Sequence, residues 1–194
     1  MRTVTIIKNI YTFKELSEKA KEKVRQDYLS DEFRTEIFSE DCMYKINELF
    51  PNSDLKIQFS LCGCQGDGFN IYGKISLTDL LENLKDKFSS EELKILEQNF
   101  MESGIDFYTM IENHYYYYCM SAYHEFTEEV ERELGYHSPL FDKFDKEARL
   151  YIGKLCRNFE DTGYNFFYHV SDEEIEDWAN ANEYEFTEDG VIFY

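Results

Sequence analysis

The sequence has few of the features that divide a chain into domains or place it in a membrane. It contains only two prolines, Pro51 and Pro139, so no proline-rich linker interrupts its 194 residues. No apolar run approaches the roughly 20 residues that a membrane-spanning helix needs, and the first residues lack the apolar stretch of a signal peptide. We therefore expect a single domain, residues 1–194, that is soluble, cytoplasmic and not associated with a membrane.

Cysteine is scarce for a protein held together by disulfides. There are five cysteines, an odd number, in a chain larger than most disulfide-dense secreted domains. This count is typical of free thiols in a reducing compartment. The five are Cys42, Cys62, Cys64, Cys119 and Cys156.

Basic residues are also few, above all toward the C-terminal end. The chain has 20 Lys and Arg against 40 Asp and Glu, a net charge of -20, and residues 158–194 contain eleven carboxylates but no Lys or Arg. Such a charge repels the phosphates of nucleic acid. We therefore expect no direct binding to duplex DNA and, instead, a basic protein partner.

The composition nevertheless excludes a disordered acidic tail. Hydrophobic residues make up 43% of the chain and aromatic residues 18%, whereas disordered acidic segments are poor in aromatics. Alternating apolar residues predict hairpins over 55–62 with 69–75, over 105–111 with 115–123, and over 184–193. For the second of these, the aromatic run at 115–118 taken alone also fits a helix. A further strand is predicted over 3–10. The predicted fold class is α+β, with antiparallel β-hairpins packed against several α-helices.

Helix starts are indicated by capping boxes, in which Ser or Thr is followed three residues later by an acid. These boxes begin at Thr12, Ser76, Ser89 and Ser171. Pro139 at a first helical position opens what we expect to be the longest helix, and another helix is predicted to end at Pro51. The first helix concentrates five cations, which are Lys14, Lys19, Lys21, Lys23 and Arg25.

The first hairpin carries the residues with most potential for chemistry. Cys62 and Cys64 lie two apart on a predicted strand, so we expect their side chains to share a face, where Cys42 could approach them. Structural zinc sites usually combine two ligand pairs, and no second pair is present. No metal or cofactor is therefore predicted, and ordinary free thiols are the simpler interpretation.

The loop that follows has the residues Gln65, Gly66, Asp67 and Gly68. It lacks the lysine of a phosphate-binding loop and the spaced acids of a calcium loop, so a tight turn that needs positive φ is favoured. The four histidines are scattered and none stands in a known catalytic motif. No catalytic residue is predicted.

Acidic residues form three clusters that are candidates for binding a partner. The first places five charges within six residues, about 9 Å of helix, or roughly one charge per 1.8 Å, which is close to the roughly 1.7 Å of duplex DNA. A solvated helix face is the usual explanation of one such run, but three clusters favour an interface. They comprise Asp172, Glu173, Glu174, Glu176 and Asp177; Glu183, Glu185, Glu188 and Asp189; and Glu128, Glu129 and Glu131.

Three segments in this order resemble a group of small proteins of phages and mobile elements. They are residues 11–24 (YTFKELSEKAKEKV), 64–69 (CQGDGF) and 184–190 (YEFTEDG). Since they run from near the start of the chain to its end, the likeness covers most of it. The chain also resembles type II-A anti-CRISPR proteins, which inhibit Cas9.

This resemblance implies a protein that acts in a bacterial host cell by binding Cas9, with or without guide RNA, and that blocks DNA engagement or cleavage as a DNA mimic. The basic first helix could then contact guide RNA or DNA while the acidic clusters hold the protein. Two alternatives stay open. One is a phage accessory enzyme that uses the hairpin with Cys62, Cys64 and Asp67, and the other is an acidic protein that binds a different basic host protein.

Overall fold

The computed structural model describes residues 7–64, 66–104, 107–114, 117–122 and 126–193. The chain forms two compact units, unit 1 from residues 1–37 and 164–194 and unit 2 from residues 38–163. The predicted α+β class with antiparallel hairpins and several helices is confirmed. That the chain is one domain stays a prediction, since these contacts do not test whether either unit folds alone.

The described residues form seven α-helices and six strands. The helices are α1 Glu18–Leu29, α2 Phe33–Leu49, α3 Leu77–Leu84, α4 Ser90–Ser103, α5 Phe126–Leu134, α6 Pro139–Tyr168 and α7 Asp172–Ala181. The strands are β1 Asp54–Ser60, β2 Gly68–Ile75, β3 Phe107–His114, β4 Tyr117–Ala122, β5 Glu185–Phe186 and β6 Ile192–Phe193. The boundaries between the units fall within α2 and α6.

Unit 2 contains a four-stranded antiparallel sheet in the order β1-β2-β3-β4. The first hairpin pairs Asp54 with Lys74 and Ser60 with Gly68, as predicted from the alternating pattern. Strand β1 ends at Ser60, so the expectation that Cys62 continues it is wrong. The second hairpin is also confirmed; β3 extends through His114, and residues 105–106, 115–116 and 123 of the predicted strands lie outside the described part.

Helix α6 is the longest of the described helices, as predicted, with 30 residues. Its apolar stripe buries Phe141, Phe144, Ala148, Ile152 and Phe159 in unit 2. The ring of Phe159 stacks on that of Phe69 from the sheet at a centroid distance of 5.0 Å. This aromatic contact packs α6 against the sheet. None of the helices in the described ranges is both long and apolar enough to span a bilayer.

Unit 1 brings the two ends of the chain into one small core. Phe13 and Leu16, just before α1, and Ala20 and Val24 within it form an apolar stripe that packs against Ile175, Ala179 and Phe186. Trp178 stands edge-on to Tyr28 and Tyr184, with centroid distances of 5.1 and 5.0 Å. The predicted terminal hairpin is confirmed by β5 and β6, which a longer turn over 187–191 connects.

Two of the four capping boxes begin α-helices as predicted. Ser89 caps α4 and Ser171 caps α7. The box at Thr12 is present but caps only a 3-10 turn, Phe13–Glu15, and α1 begins after Ser17, whose hydroxyl accepts from the Ala20 N–H. The strand predicted over 3–10 is not seen in 7–10, and residues 3–6 lie outside the description; Tyr11 alone bridges to Phe186.

The capping box predicted at Ser76 does not form, although α3 begins there. The buried carboxylate of Asp79 accepts from the backbone N–H and side-chain amide of Asn52, at 2.9 and 2.8 Å, and from the Ser53 hydroxyl at 2.7 Å. A buried carboxylate needs such donors. The acid thus ties α3 to the turn after α2 rather than capping its own helix.

Candidate functional site

The loop between β1 and β2 is organised around the carboxylate of Asp67, which is only 8% exposed. Its Oδ2 accepts from the backbone N–H groups of Gly63 and Cys64, at 2.5 and 3.1 Å. Its Oδ1 lies 3.4 Å from Cys62 Sγ, 3.3 Å from Cys64 Sγ and 3.1 Å from Ser60 Oγ. One buried carboxylate therefore accepts hydrogen bonds from two backbone N–H groups, from the Ser60 hydroxyl and from both exposed thiols.

Glycine permits this path of the chain. Gly63 and Gly66 have φ of 73° and 113°, a region that side-chain-bearing residues rarely adopt. The predicted tight turn with positive φ is thus confirmed at Gly66, while Gln65 lies outside the described residues. The two sulfurs are 3.7 Å apart because the loop curls at Gly63, not because they share the face of a strand.

The pKa of Cys64 is shifted in the direction opposite to that of a reactive cysteine. Hydrogen bonds to Asp67 and then to Cys62 raise the pKa of Cys64 to about 11. Catalytic cysteines need a lowered pKa, since the thiolate is the nucleophile. With its present neighbours Cys64 is a thiol at neutral pH. The pKa of Glu160 in α6 is also raised, first by burial, then by the negative charge of Asp161 and last by that of Asp67.

Cys42 does not join this loop. It is buried in α2, and its pKa is raised to about 12 by burial. Cys156 is likewise buried in α6, with a pKa raised to about 11 by burial. Both are buried core residues, so Cys62 and Cys64 are the exposed pair among the four cysteines whose side chains the structure describes.

A cavity of about 600 Å³ lies elsewhere in unit 2, between α3 and α4. Its wall is largely apolar, with Leu77, Leu81, Leu93 and Phe100 among its lining residues. No residue of the loop 61–67 lines this cavity. The two exposed thiols and the buried Asp67 are therefore separate from this cavity.

The acids of α7 differ sharply in what they contact. Asp172 accepts from Arg25 of α1 at 2.6 Å and lies 3.9 Å from Lys21, and Glu176 lies 2.6 Å from Lys14. Hydrogen bonds from Ser171 lower the pKa of Glu174, which is used as the helix cap. Three of the five acids that sequence patterning assigns to partner binding thus have intramolecular roles.

Two cations of the predicted first helix are engaged by the same pairs, Arg25 in α1 and Lys14 in the 3-10 turn that precedes it. Hydrogen bonding to Asp172, then to Glu18, raises the pKa of Arg25 and keeps it charged. Hydrogen bonding to Glu176 raises the pKa of Lys14. The expectation that this basic helix is available for guide RNA or DNA loses its basis for both residues, because they hold α7.

Exposed carboxylates remain on α7 and the terminal hairpin. Among the described contacts, none is an ion pair for Glu173, Asp177, Glu183, Glu185 or Glu188, and all five are exposed. We call these five the acidic surface. Asp189 is excluded because the Thr187 hydroxyl holds it at 2.6 Å, which lowers its pKa, and Lys23 lies 3.9 Å away.

The third predicted cluster belongs to unit 2, apart from the other two. Glu131 of α5 contacts His137 Nδ1, and this hydrogen bond raises the pKa of His137. Glu128 and Glu129 are also in α5, but their side chains lie outside the described part. The structure therefore brings the 172–177 and 183–189 clusters into one unit and leaves 128–131 in the other.

Sequence patterns do not reveal the role of Arg34, a buried cation of unit 1. Its guanidinium lies between the rings of Tyr28 and Phe166, 4.4 and 4.2 Å from their centroids, and donates to the Phe166 carbonyl. Cation–π contacts of this kind stabilise a buried cation. The only available signal, a cation beside aromatic residues, is too common to identify the contact in advance.

The geometry thus provides two distinct candidates, a thiol–carboxylate loop in unit 2 and an acidic surface in unit 1. No protein-family model, curated protein or solved structure matches this chain.

Proposed function

We propose that this chain acts as a binding protein that engages a positively charged surface of another protein, with a Cas9-type effector as the target that its resemblance indicates. One observation carries the proposal. The five carboxylates of the acidic surface are exposed and have no described ion pair, while Arg25 pairs with Asp172 and Lys14 with Glu176. The negative charge of this surface is therefore available to a partner.

The charge balance of unit 1 supports the same proposal. Its sequence contains eight Lys and Arg against sixteen Asp and Glu, so acids remain in excess after every cation is paired. A field of this sign accelerates encounter with a basic groove and weakens as salt rises, because the screening length is about 8 Å at physiological ionic strength.

The ion pairs of Asp172 and Glu176 lower the density of unpaired charge on α7, on which the comparison with DNA depends. On α7 the described contacts include no ion pair for Glu173, Glu174 or Asp177; Glu174 is engaged in the helix cap, and Glu173 and Asp177 lie four residues, or about 6 Å of helix, apart. That spacing is several times the roughly 1.7 Å per charge of duplex DNA. Helix α7 alone therefore does not supply the charge density of DNA, and the hairpin acids have to contribute.

Binding of such a surface would interfere with a Cas9-type effector in a specific way. The effector holds the guide-target heteroduplex in a positively charged channel and reads its PAM with arginines. Carboxylates seated against these groups would occupy charges that DNA needs. The expected result is loss of DNA engagement, and hence of cleavage.

The direct test is target cleavage by Cas9 after incubation with this protein, in the presence and absence of guide RNA. Complex formation is followed in parallel by size-exclusion chromatography. We expect a complex and reduced cleavage, both weakened by added salt. Unaltered cleavage without a complex would reject Cas9 as the target, and capture of a different basic protein from host lysate would favour the alternative partner.

A charge-reversal variant tests the surface itself. It replaces Glu173, Asp177, Glu185 and Glu188 by Lys and leaves Asp172 and Glu176 in place, since those two pair with Arg25 of α1 and with Lys14 of the turn before it. A matched control reverses four exposed acids of unit 2, namely Glu40, Glu48, Asp86 and Glu91. The first variant should lose inhibition and salt dependence while the control retains both; equal behaviour of the two would remove the acidic surface from the interface.

A further inference from the structure

Three potential metal ligands converge in the loop between β1 and β2, independently of the acidic surface. Cys62 Sγ and Cys64 Sγ are 3.7 Å apart, and Asp67 Oδ1 lies 3.4 Å from the first and 3.3 Å from the second. The three atoms therefore form a nearly equilateral triangle. In the described part of the chain, this is the one group of three such side chains close enough to hold one ion.

The size of the triangle matches one face of a coordination tetrahedron. With Zn–S of roughly 2.3 Å and Zn–O of roughly 2.0 Å, tetrahedral geometry places two sulfurs about 3.8 Å apart and a sulfur and an oxygen about 3.5 Å apart. The three observed separations, 3.7, 3.4 and 3.3 Å, each lie within about 0.2 Å of these values. An ion can therefore be placed against all three ligands with little movement of the loop.

The surrounding contacts hold the carboxylate in a ligating orientation. Asp67 is 92% buried, and the N–H groups of Gly63 and Cys64 bind its Oδ2, which turns Oδ1 toward the sulfurs. The Ser60 hydroxyl donates to Oδ1 from the end of β1. Such outer hydrogen bonds orient the ligands of metal sites and change metal affinity about 10- to 100-fold when they are lost.

Access and charge are also suited to a cation. Both cysteines are exposed, so an ion reaches the sulfurs from solvent without opening the core. Soft thiolates select Zn²⁺ and similar thiophilic ions over Mg²⁺ or Ca²⁺. Three protein ligands leave the fourth tetrahedral position to water or to a group from a partner.

We propose that Cys62, Cys64 and Asp67 form a binding site for a single thiophilic divalent cation of the Zn²⁺ class, which releases the two thiol protons to solvent as it binds and leaves the fourth position open to solvent. The site fixes the loop between β1 and β2 and does not depend on the identity of the protein partner. Its presence or absence leaves the Cas9 proposal unchanged, because the acidic surface lies in the other unit.

The test titrates Co²⁺ into the full-length protein after chelator treatment under reducing conditions, and then displaces Co²⁺ with Zn²⁺. We expect one ion per chain, with the visible d–d bands of tetrahedral Co²⁺ and a near-ultraviolet thiolate-to-cobalt absorption. Elemental analysis after gel filtration gives the Zn²⁺ stoichiometry. Binding of less than about one ion per two chains would overturn the proposal.

Variants locate the ion. C62S and C64S should each lower affinity at least about tenfold and reduce the thiolate absorption to about half, because one of two sulfur ligands is lost. D67N should lower affinity comparably, whereas D54N, at an exposed acid of the same hairpin, should leave it unchanged. If D67N is misfolded by circular dichroism, the exposed cysteine variants decide. Full thiolate absorption in both would overturn the proposed site.

Discussion

Replacement of Gly190 by alanine should destabilise unit 1 by roughly 2–5 kcal/mol, from two separate causes. The first is the backbone, since Gly190 has a φ of 76° in the left-handed region, where an L-residue costs roughly 1–2 kcal/mol. The second is space, because a Cβ here would lie 2.5 Å from the backbone carbonyl oxygen of Ala20. Relieving such a contact requires the hairpin to move from α1, at roughly 1–3 kcal/mol for an overpacked site.

A matched variant separates the two causes. Gly135, at the end of α5, has nearly the same φ of 75°, but no atom lies within 4 Å of its added Cβ. Gly135→Ala should therefore carry only the backbone cost of roughly 1–2 kcal/mol. The difference between the two variants measures the close approach of the hairpin to α1.

Urea unfolding provides the assay, with a separate probe for unit 1. Trp178 is the single tryptophan of the sequence and packs in the core of that unit, so its fluorescence follows unit 1. Far-ultraviolet circular dichroism follows the whole chain. If Gly190→Ala shifted the free energy of unfolding by no more than Gly135→Ala does, the close contact with Ala20 would contribute nothing and the reasoning would be refuted.

Three further predictions concern single polar contacts. Asp79→Ala removes the buried acceptor of three hydrogen bonds from Asn52 and Ser53 and should cost about 2–3 kcal/mol of unfolding free energy, whereas the exposed Asp86→Ala should stay within about 0.5 kcal/mol; urea unfolding that gives similar values for both would contradict this. Ser171→Ala removes the side-chain cap of α7 and should lower the free energy of unfolding by about 1 kcal/mol, measured by urea unfolding with tryptophan fluorescence. An unchanged free energy would show that the cap does not stabilise the helix. Glu131→Gln should lower the raised pKa of His137 toward its ordinary value in an NMR titration. Since that pKa is raised in the folded state, the stabilisation is complete below the unfolded pKa of about 6.5 and is lost as pH rises through the folded pKa. An unchanged His137 titration would show that the carboxylate does not act on it.

Local patterns predict those elements of the fold whose partners are close in sequence. Ser89 and Ser171 find their acids three residues later, and the 55–62 and 69–75 pattern gives the first hairpin. The same pattern fails at Ser76, because Asp79 is satisfied by donors at 52–53, some 27 residues away. A capping box is recognised from two residues within one turn of helix. Hydrogen-bond donors from distant parts of the chain can bind the same acid instead, and the sequence pattern does not show them.

The candidate sites show the same limit. The sequence indicates that Cys62, Cys64 and Asp67 are near each other, since only six residues contain them, but not that one carboxylate oxygen faces both sulfurs. The ion pair between Arg25 and Asp172 joins residues 147 positions apart. Counting charges along α7 therefore overstates the free acidity, because the neutralising cations come from the opposite end of the chain.

The arrangement of unit 1 also sets an order of events during synthesis. The apolar stripe of α1 is covered by α7, and about 150 residues separate Val24 from Ile175. At roughly 5–20 residues per second, translation takes about 8–30 s to supply that cover. During this interval all of unit 2 is synthesised. Phe13 and Leu16 still lack their native contacts, because these come from α7 and the terminal hairpin. The acidic surface is therefore assembled after unit 2 has been synthesised, and slower translation would lengthen the time during which the apolar stripe of α1 lacks its cover.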